Sequence, residues 1–344
     1  MSAYASNAIL SKSRAMYGKR LTERDYKKLL SCGSVPEVLT YLKGNSKYAP
    51  LMSKLSEKTV RRRDLEAVLR QKLFQDYESL CRYEITVGED FARYTVMKAE
   101  IGQIIHYLIM LSSGEPHKFY STLPKYFLRI SSVNFTAMAG AQTCDEFLSV
   151  IRKSDYYKLL EPFRPKKGEK LNLADIENTL YNNMFGKVYE IIEKTSGEEK
   201  KALQDMFDTN IDLRNFTRIF RLKKYYKLEP DEIKKHLLPF GSLNERQISE
   251  LCSANDTKEL FALMKQTAPG KVISKLDYTF IFEIPRRALY EESYKSMYFS
   301  VNPSVVLVAF YNLEEAEINN IINIIEGVRY KADTEKIRKL LIYK

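Results

Sequence analysis

Three times along the chain an acid stands three residues ahead of an amide. The copies are Glu100-Ile101-x-Gln103-Ile104, Asp212-Leu213-x-Asn215-Phe216 and Glu317-Ile318-x-Asn320-Ile321. A spacing of three puts both polar groups on one face of a helix. A carboxylate accepts hydrogen bonds, and an amide both donates and accepts them. Such a pair can satisfy a neighbouring helix end or loop backbone inside its own lobe, or it can line a shared surface for a partner. Its recurrence in every copy favours the first, fold-maintaining task.

Other residue combinations offer no reaction chemistry. The chain has no G-x-x-x-x-G-K-[ST] phosphate loop, no G-x-G-x-x-G and no G-x-S-x-G elbow. His106, His117 and His236 share no metal-ligand spacing, and Cys32, Cys81, Cys144 and Cys252 form no C-x-x-C pair. The cysteines read as buried free thiols of a reducing, cytoplasmic compartment. Glu291-Glu292 and Glu314-Glu315 fall on helix-like polar stretches and read as solvated faces. Tyr156-Tyr157 and Tyr225-Tyr226 fit core or interface packing better than stacking platforms. No residue is nominated as catalytic, cofactor-binding or metal-ligating, so the expected protein is not an enzyme.

The elements that carry the acid–amide pairs also repeat. Leu21-Thr22-Glu23-Arg24-Asp25-Tyr26, Ile130-Ser131-Ser132-Val133-Asn134-Phe135 and Leu243-Asn244-Glu245-Arg246-Gln247-Ile248 each read as a capping box inside a hydrophobic staple. Thr22, Ser131 and Asn244 are thus expected at equivalent helix starts. Each block is followed by Glu and a helical apolar stripe: Glu37-Val38-Leu39-x-x-Leu42, Glu146-Phe147-Leu148-x-x-Ile151 and Glu259-Leu260-Phe261-x-x-Met264. A fourth block, Tyr226-Lys227-Leu228-Glu229-Pro230, resembles Tyr330-Lys331-Ala332-Asp333-Thr334, with a weaker copy at Glu115-Pro116. Proline just inside a helix start is favourable because its missing N–H would be unpaired there. The blocks recur at shifts of roughly 110 residues, too long for solenoid repeats. They predict an all-α chain of three homologous lobes, 1–114, 115–228 and 229–344.

Composition agrees with a folded, water-exposed body. Of 344 residues, 44% are hydrophobic and 29% charged, as in globular proteins, and 13 Gly with 11 Pro leave little for long linkers. The longest apolar run, Val301 to Phe310, is interrupted by Asn302 and Pro303 and is too short to span a membrane. Met1-Ser2-Ala3-Tyr4 lacks the apolar core of a secretory signal. The net charge of +11 would suit nucleic acid, an anionic membrane surface or an acidic protein. The basic clusters (Arg61-Arg62-Arg63, Lys166-Lys167, Lys223-Lys224, Lys234-Lys235 and Arg286-Arg287) are interleaved with acids, without any nucleic-acid-binding signature. They read mostly as solvated helix faces.

With Tyr4-Ala5-Ser6-Asn7-Ala8 at its start, the chain resembles the C subunit of the bacterial and archaeal V/A-type rotary ATPases, whose eukaryotic relative is the d subunit. The strongest match is Ile211-Asp212-Leu213-Arg214-Asn215-Phe216-x-x-Ile219-Phe220-Arg221, followed by Leu237-Leu238-Pro239-Phe240-Gly241. Glu317-Ile318-x-Asn320-Ile321-x-x-Ile324-Ile325-Glu326-Gly327 adds a second match. The first lobe departs from the pattern at Gly102-Gln103 and His106. The resemblance implies a pseudo-threefold funnel of helical domains, peripheral to the membrane on its cytoplasmic face. It implies two partners, the central shaft subunits and the membrane rotor ring of proteolipid subunits, with no cofactor and no nucleic acid. The implied role is a central-stalk adaptor that couples ATP hydrolysis or synthesis to proton or sodium-ion transport. The competing expectation is a stand-alone basic helical scaffold or nucleic-acid-binding protein.

Overall fold

The structure, a computed structural model, describes residues 3–166 and 169–344. Met1, Ser2 and Lys167, the second member of the Lys166-Lys167 pair, lie outside the described residues. Helices build the fold, and among the described residues there is no strand. The chain forms two compact units: Met1–Glu89 with Ile192–Lys344, and Asp90–Ile191.

Three long helices organise these units: Gly88–Ser112 (25 residues), Gly197–Arg221 (25 residues) and Pro303–Arg329 (27 residues). Each carries one acid–amide pair. Each also ends in a left-handed residue that turns the chain away: Gly114 at φ 75°, Lys227 at φ 53° and Lys331 at φ 52°. After the first and third helices the chain makes the 6→1 bond of a Schellman turn. Glu115 N–H donates to Met110 O (2.9 Å), and Ala332 N–H donates to Gly327 O (2.8 Å). The second helix reaches its turn through a π-helical segment, Leu222–Tyr226.

In the larger unit the Pro303–Arg329 helix is the central post. It is buried around most of its circumference, including every residue from Val305 to Phe310. An all-round apolar helix must be enclosed, and this one packs against Ile284–Phe299, Arg62–Cys81 and Ala3–Tyr17. Ser304 N–H donates to Glu199 Oε1 (3.1 Å), and Asn312 Nδ2 lies 3.9 Å from Met206 Sδ. These contacts, at offsets of 105 and 106 residues, mean that the first turns of the Gly197–Arg221 and Pro303–Arg329 helices run in the same direction. A second core gathers Leu213, Phe216 and Ile219 with Ile233, Leu251, Leu260 and Met264.

The smaller unit centres on the Gly88–Ser112 helix and an aromatic core. Tyr107 stacks on Phe147 at 5.3 Å, while Phe119 and Phe127 both approach Phe135. The Tyr107 hydroxyl finds a partner by donating to Ala141 O (3.1 Å), as a buried phenol must.

Candidate functional site

The three acids do the same thing in three places. Asp212, fully buried, accepts from Ser242 N–H (2.9 Å) and Ser242 Oγ (2.7 Å) through Oδ2, and from Leu243 N–H (3.4 Å) through Oδ1. Glu317 Oε2 accepts from Leu21 N–H (2.7 Å), and its Oε1 accepts from the Tyr48 hydroxyl (2.7 Å). Glu100 Oε1 accepts from Ser132 N–H (2.8 Å) and the Ser131 hydroxyl (2.6 Å), and its Oε2 from the Tyr156 hydroxyl (2.7 Å). In each clasp the acid holds the segment that leads into the next short helix. That segment's N–H groups precede the first helical turn and take the carboxylate as their acceptor.

The amides complete two of the clasps. Asn215 takes both backbone groups of Leu238, donating to its O (3.0 Å) and accepting from its N–H (2.9 Å). Asn320 treats Ile342 identically (2.7 Å and 2.9 Å) and also donates to Tyr26 Oη (3.2 Å). Gln103 departs, because its buried Oε1 has no hydrogen-bond partner. This is the first-lobe position where the sequence also departs from the repeat.

The hydrogen bonding is the kind expected from the sequence, but its address differs. Glu100 reaches residues 131 and 132, Asp212 reaches 242 and 243, and Glu317 reaches 21. None of these partners lies in the acid's own sequence unit. Each acid serves the cap segment of the following unit, and the third returns to the first.

The caps are met in part. Thr22 and Asn244 form reciprocal capping boxes with Asp25 and Gln247. Ser131 does not cap a helix. Its hydroxyl is taken by Glu100, and Asn134 caps the short Phe135–Met138 helix instead. The second repeated block hides three N-caps that the stripe reading passes over, each with a glutamate that reaches back to the residue before the cap. Ser34, Thr143 and Asp256 accept from the N–H of Glu37, Glu146 and Glu259. Those glutamates in turn accept from Gly33, Gln142 and Asn255 N–H at 2.9, 2.7 and 2.7 Å. The signal is present as S/T/D-x-x-E in all three copies.

Around the third clasp lies a buried charge cluster that no sequence pattern announces. Lys47 Nζ meets Glu314 Oε2 at 2.6 Å and Glu317 Oε1 at 2.9 Å, with all three side chains at most 7% exposed. Glu314 therefore does not belong to a solvated face. Its partner comes from 267 residues away. Burial alone would lower the Lys47 pKa, but Glu314 and then Glu317 outweigh it and the pKa is raised. Burial raises that of Glu314, and the second carboxylate adds to this against the pull of Lys47. One cation between two carboxylates leaves an excess negative charge, so a raised acid is the physical expectation. Burial also raises Asp212 against its hydrogen bonds.

The remaining candidates supply no second site. The Cys81 and Cys252 thiols are pushed up by burial to about 12 and about 11, which suppresses the nucleophilic thiolate. His106 packs edge-on against Phe119, and burial lowers its pKa. Among the described residues no three His, Cys, Asp or Glu side chains converge as a metal site would require. Among the same residues, no helix is long and apolar enough to cross a membrane. Tyr156 is buried, whereas Tyr225 and Tyr226 are exposed at a helix end rather than packed in a core.

The family follows from comparison with known proteins. The ATP synthase (C/AC39) subunit family profile matches residues 9–340. The C subunit of the A-type ATP synthase of Methanosarcina mazei is 27% identical over 67% of this chain and 62% of its own length. Less than two thirds of that relative is therefore covered. The corresponding protein of Pyrococcus abyssi is 22% identical over 76% of this chain and 68% of its own. That of Methanosphaera stadtmanae is 23% identical over 90% and 80%. On this match, which runs through all three acid clasps, the chain belongs to the ATP synthase (C/AC39) subunit family.

Proposed function

We propose that the chain is the non-catalytic central-stalk adaptor of a V/A-type rotary ATPase. In this reading it receives the tip of the central shaft and sits on the cytoplasmic face of the membrane rotor ring. It then couples ATP hydrolysis or synthesis in the head to proton or sodium-ion movement. The observation that carries the reading is the cyclic order of the clasps, in which acid one serves cap two, acid two cap three and acid three cap one. A collar of three homologous lobes, 1–114, 115–228 and 229–344, around a pseudo-threefold axis would be bonded in this way. In this reading the chain's residues bind and position rather than react.

The test pairs ATPase and ion-uptake assays on vesicles with and without this protein. The head should still hydrolyse ATP without it, while ion uptake stops because torque has no route to the ring. The purified chain should bind both shaft subunits and the detergent-solubilised ring. Continued ATP-driven uptake in its absence would falsify the adaptor role.

A further inference from the structure

Only two non-glycine residues among the described ones adopt a left-handed backbone, Lys227 (φ 53°) and Lys331 (φ 52°). They occupy matching places, one residue after an exposed tyrosine where a long helix ends. Glycine is the ordinary residue for such a turn because a side chain is strained there, and the first repeat uses it at Gly114. Lysine is thus kept at a conformational cost in two independent copies, which directs attention to function. Favourable placement of cations at a helix C-terminus accounts for basic residues in the last turn. It does not account for lysine at the strained position itself, or for the tyrosines beside it.

Tyr225, Tyr226 and Tyr330 are 67%, 64% and 69% exposed. Lys224, Lys227, Arg329 and Lys331 have no carboxylate partner among the described residues, whereas Lys234, Lys235 and Arg338 close by are paired with acids of their own helices. We propose that the Tyr226-Lys227 and Tyr330-Lys331 helix ends are each a docking point for an acidic protein segment.

Charge complementarity selects that occupant. Unpaired cations beside phenol hydroxyls suit carboxylates, which accept from both. Nucleic acid would need open aromatic faces for stacking. Here Lys224 Nζ lies over the Tyr225 ring at 5.4 Å and the Arg329 guanidinium over Tyr330 at 5.1 Å, so two of the three exposed rings carry a cation on one face. The inference stands apart from the rotary-complex reading, since it is tested on the isolated chain.

The probe is a fluorescein-labelled glutamate-rich helical peptide, with affinity read by fluorescence anisotropy. The paired variant Lys227→Gly with Lys331→Gly relieves the backbone strain while deleting the cations. It should melt no lower than the parent and bind about tenfold more weakly, which corresponds to a loss of about 1.4 kcal/mol. Tyr226→Ala with Tyr330→Ala should weaken binding without changing net charge. Lys58→Ala with Lys153→Ala removes two exposed charges elsewhere and should leave the affinity close to that of the parent. Equal losses in both lysine pairs would reduce the site to general attraction by a +11 protein and overturn the proposal. Tighter binding of single-stranded oligonucleotide or phosphatidylserine vesicles than of the peptide would overturn the choice of partner.

Discussion

Gly241 is where the second clasp can be tested most sharply. Its φ of +116° is a conformation that side chains rarely adopt. A Cβ built there would sit 2.2 Å from Asp212 Oδ1 and 2.9 Å from its Cγ, against an ordinary contact of 3.4–4 Å. The carboxylate cannot step aside by that distance and keep Ser242 N–H and Oγ at 2.9 and 2.7 Å. Gly241→Ala therefore carries two costs. Backbone strain is about 1–3 kcal/mol, and disruption of the clasp adds about 1–3 kcal/mol. Asp212→Ala alone should cost about 1–3 kcal/mol, because Ser242 and Leu243 N–H lose their acceptor. The double variant should cost less than the two singles together, since without the carboxylate there is nothing for the new methyl group to strike. The expected coupling is about 1–3 kcal/mol, read from guanidinium unfolding followed by helical circular dichroism. Additivity within about 0.5 kcal/mol would mean that Gly241 is required for its backbone alone. A fully stable Asp212→Ala that no longer assembled with its partners would reverse the structural assignment of the acid.

Three further outcomes follow from the same geometry. Lys47→Met strands two buried carboxylates and should cost about 3–5 kcal/mol in chemical unfolding; adding Glu314→Gln should recover part of it, and no recovery would dissolve the cluster argument. Because the Glu314 pKa is raised above 4.5 in the folded chain, folding takes up a proton as pH climbs past that value. Stability should fall with rising pH in that window, and Glu314→Gln should flatten that part of the profile; an unaltered profile would show the shift to be absent. Ser34→Ala, Thr143→Ala and Asp256→Ala should each cost about 0.5–2 kcal/mol of stability, with values near zero in all three arguing that the repeated glutamates are not capping partners.

What is legible in the sequence is local. Thr22 with Asp25 and Asn244 with Gln247 are bonded three residues apart, so pattern and structure coincide. The same reasoning reaches Glu37, Glu146 and Glu259, whose bonds to the residue before each cap are equally local, once their apolar followers are set aside. Ser131 departs from its pattern because a partner 31 residues back takes its hydroxyl. Tertiary competition of that kind leaves no periodic trace. Glu314 carries no warning at all, since the lysine that neutralises it is remote in sequence. The exposed tyrosines at 225 and 226 belong to a helix terminus, where amphipathic patterning ceases to apply.

The three clasps differ in one mechanical respect. Glu100 and Asp212 hold cap segments 30–32 residues along the same chain. When such a bond breaks, the short tether keeps its halves at high effective concentration, and it re-forms quickly. Glu317 and Leu21 are separated by 296 residues, so their junction is a seam rather than a staple. Beside the packing of Pro303–Arg329 on Ala3–Tyr17 and Arg62–Cys81, the seam is held by the Lys47 charges, the Asn320 bridge between Tyr26 and Ile342 and the Tyr26–Tyr343 stack at 4.4 Å. If the chain bears the twist proposed for it, a break at this seam would part the chain's two ends, whereas the tethered joints would re-form. The concentration of buried charge and stacked rings at this one junction is where reinforcement against such parting belongs.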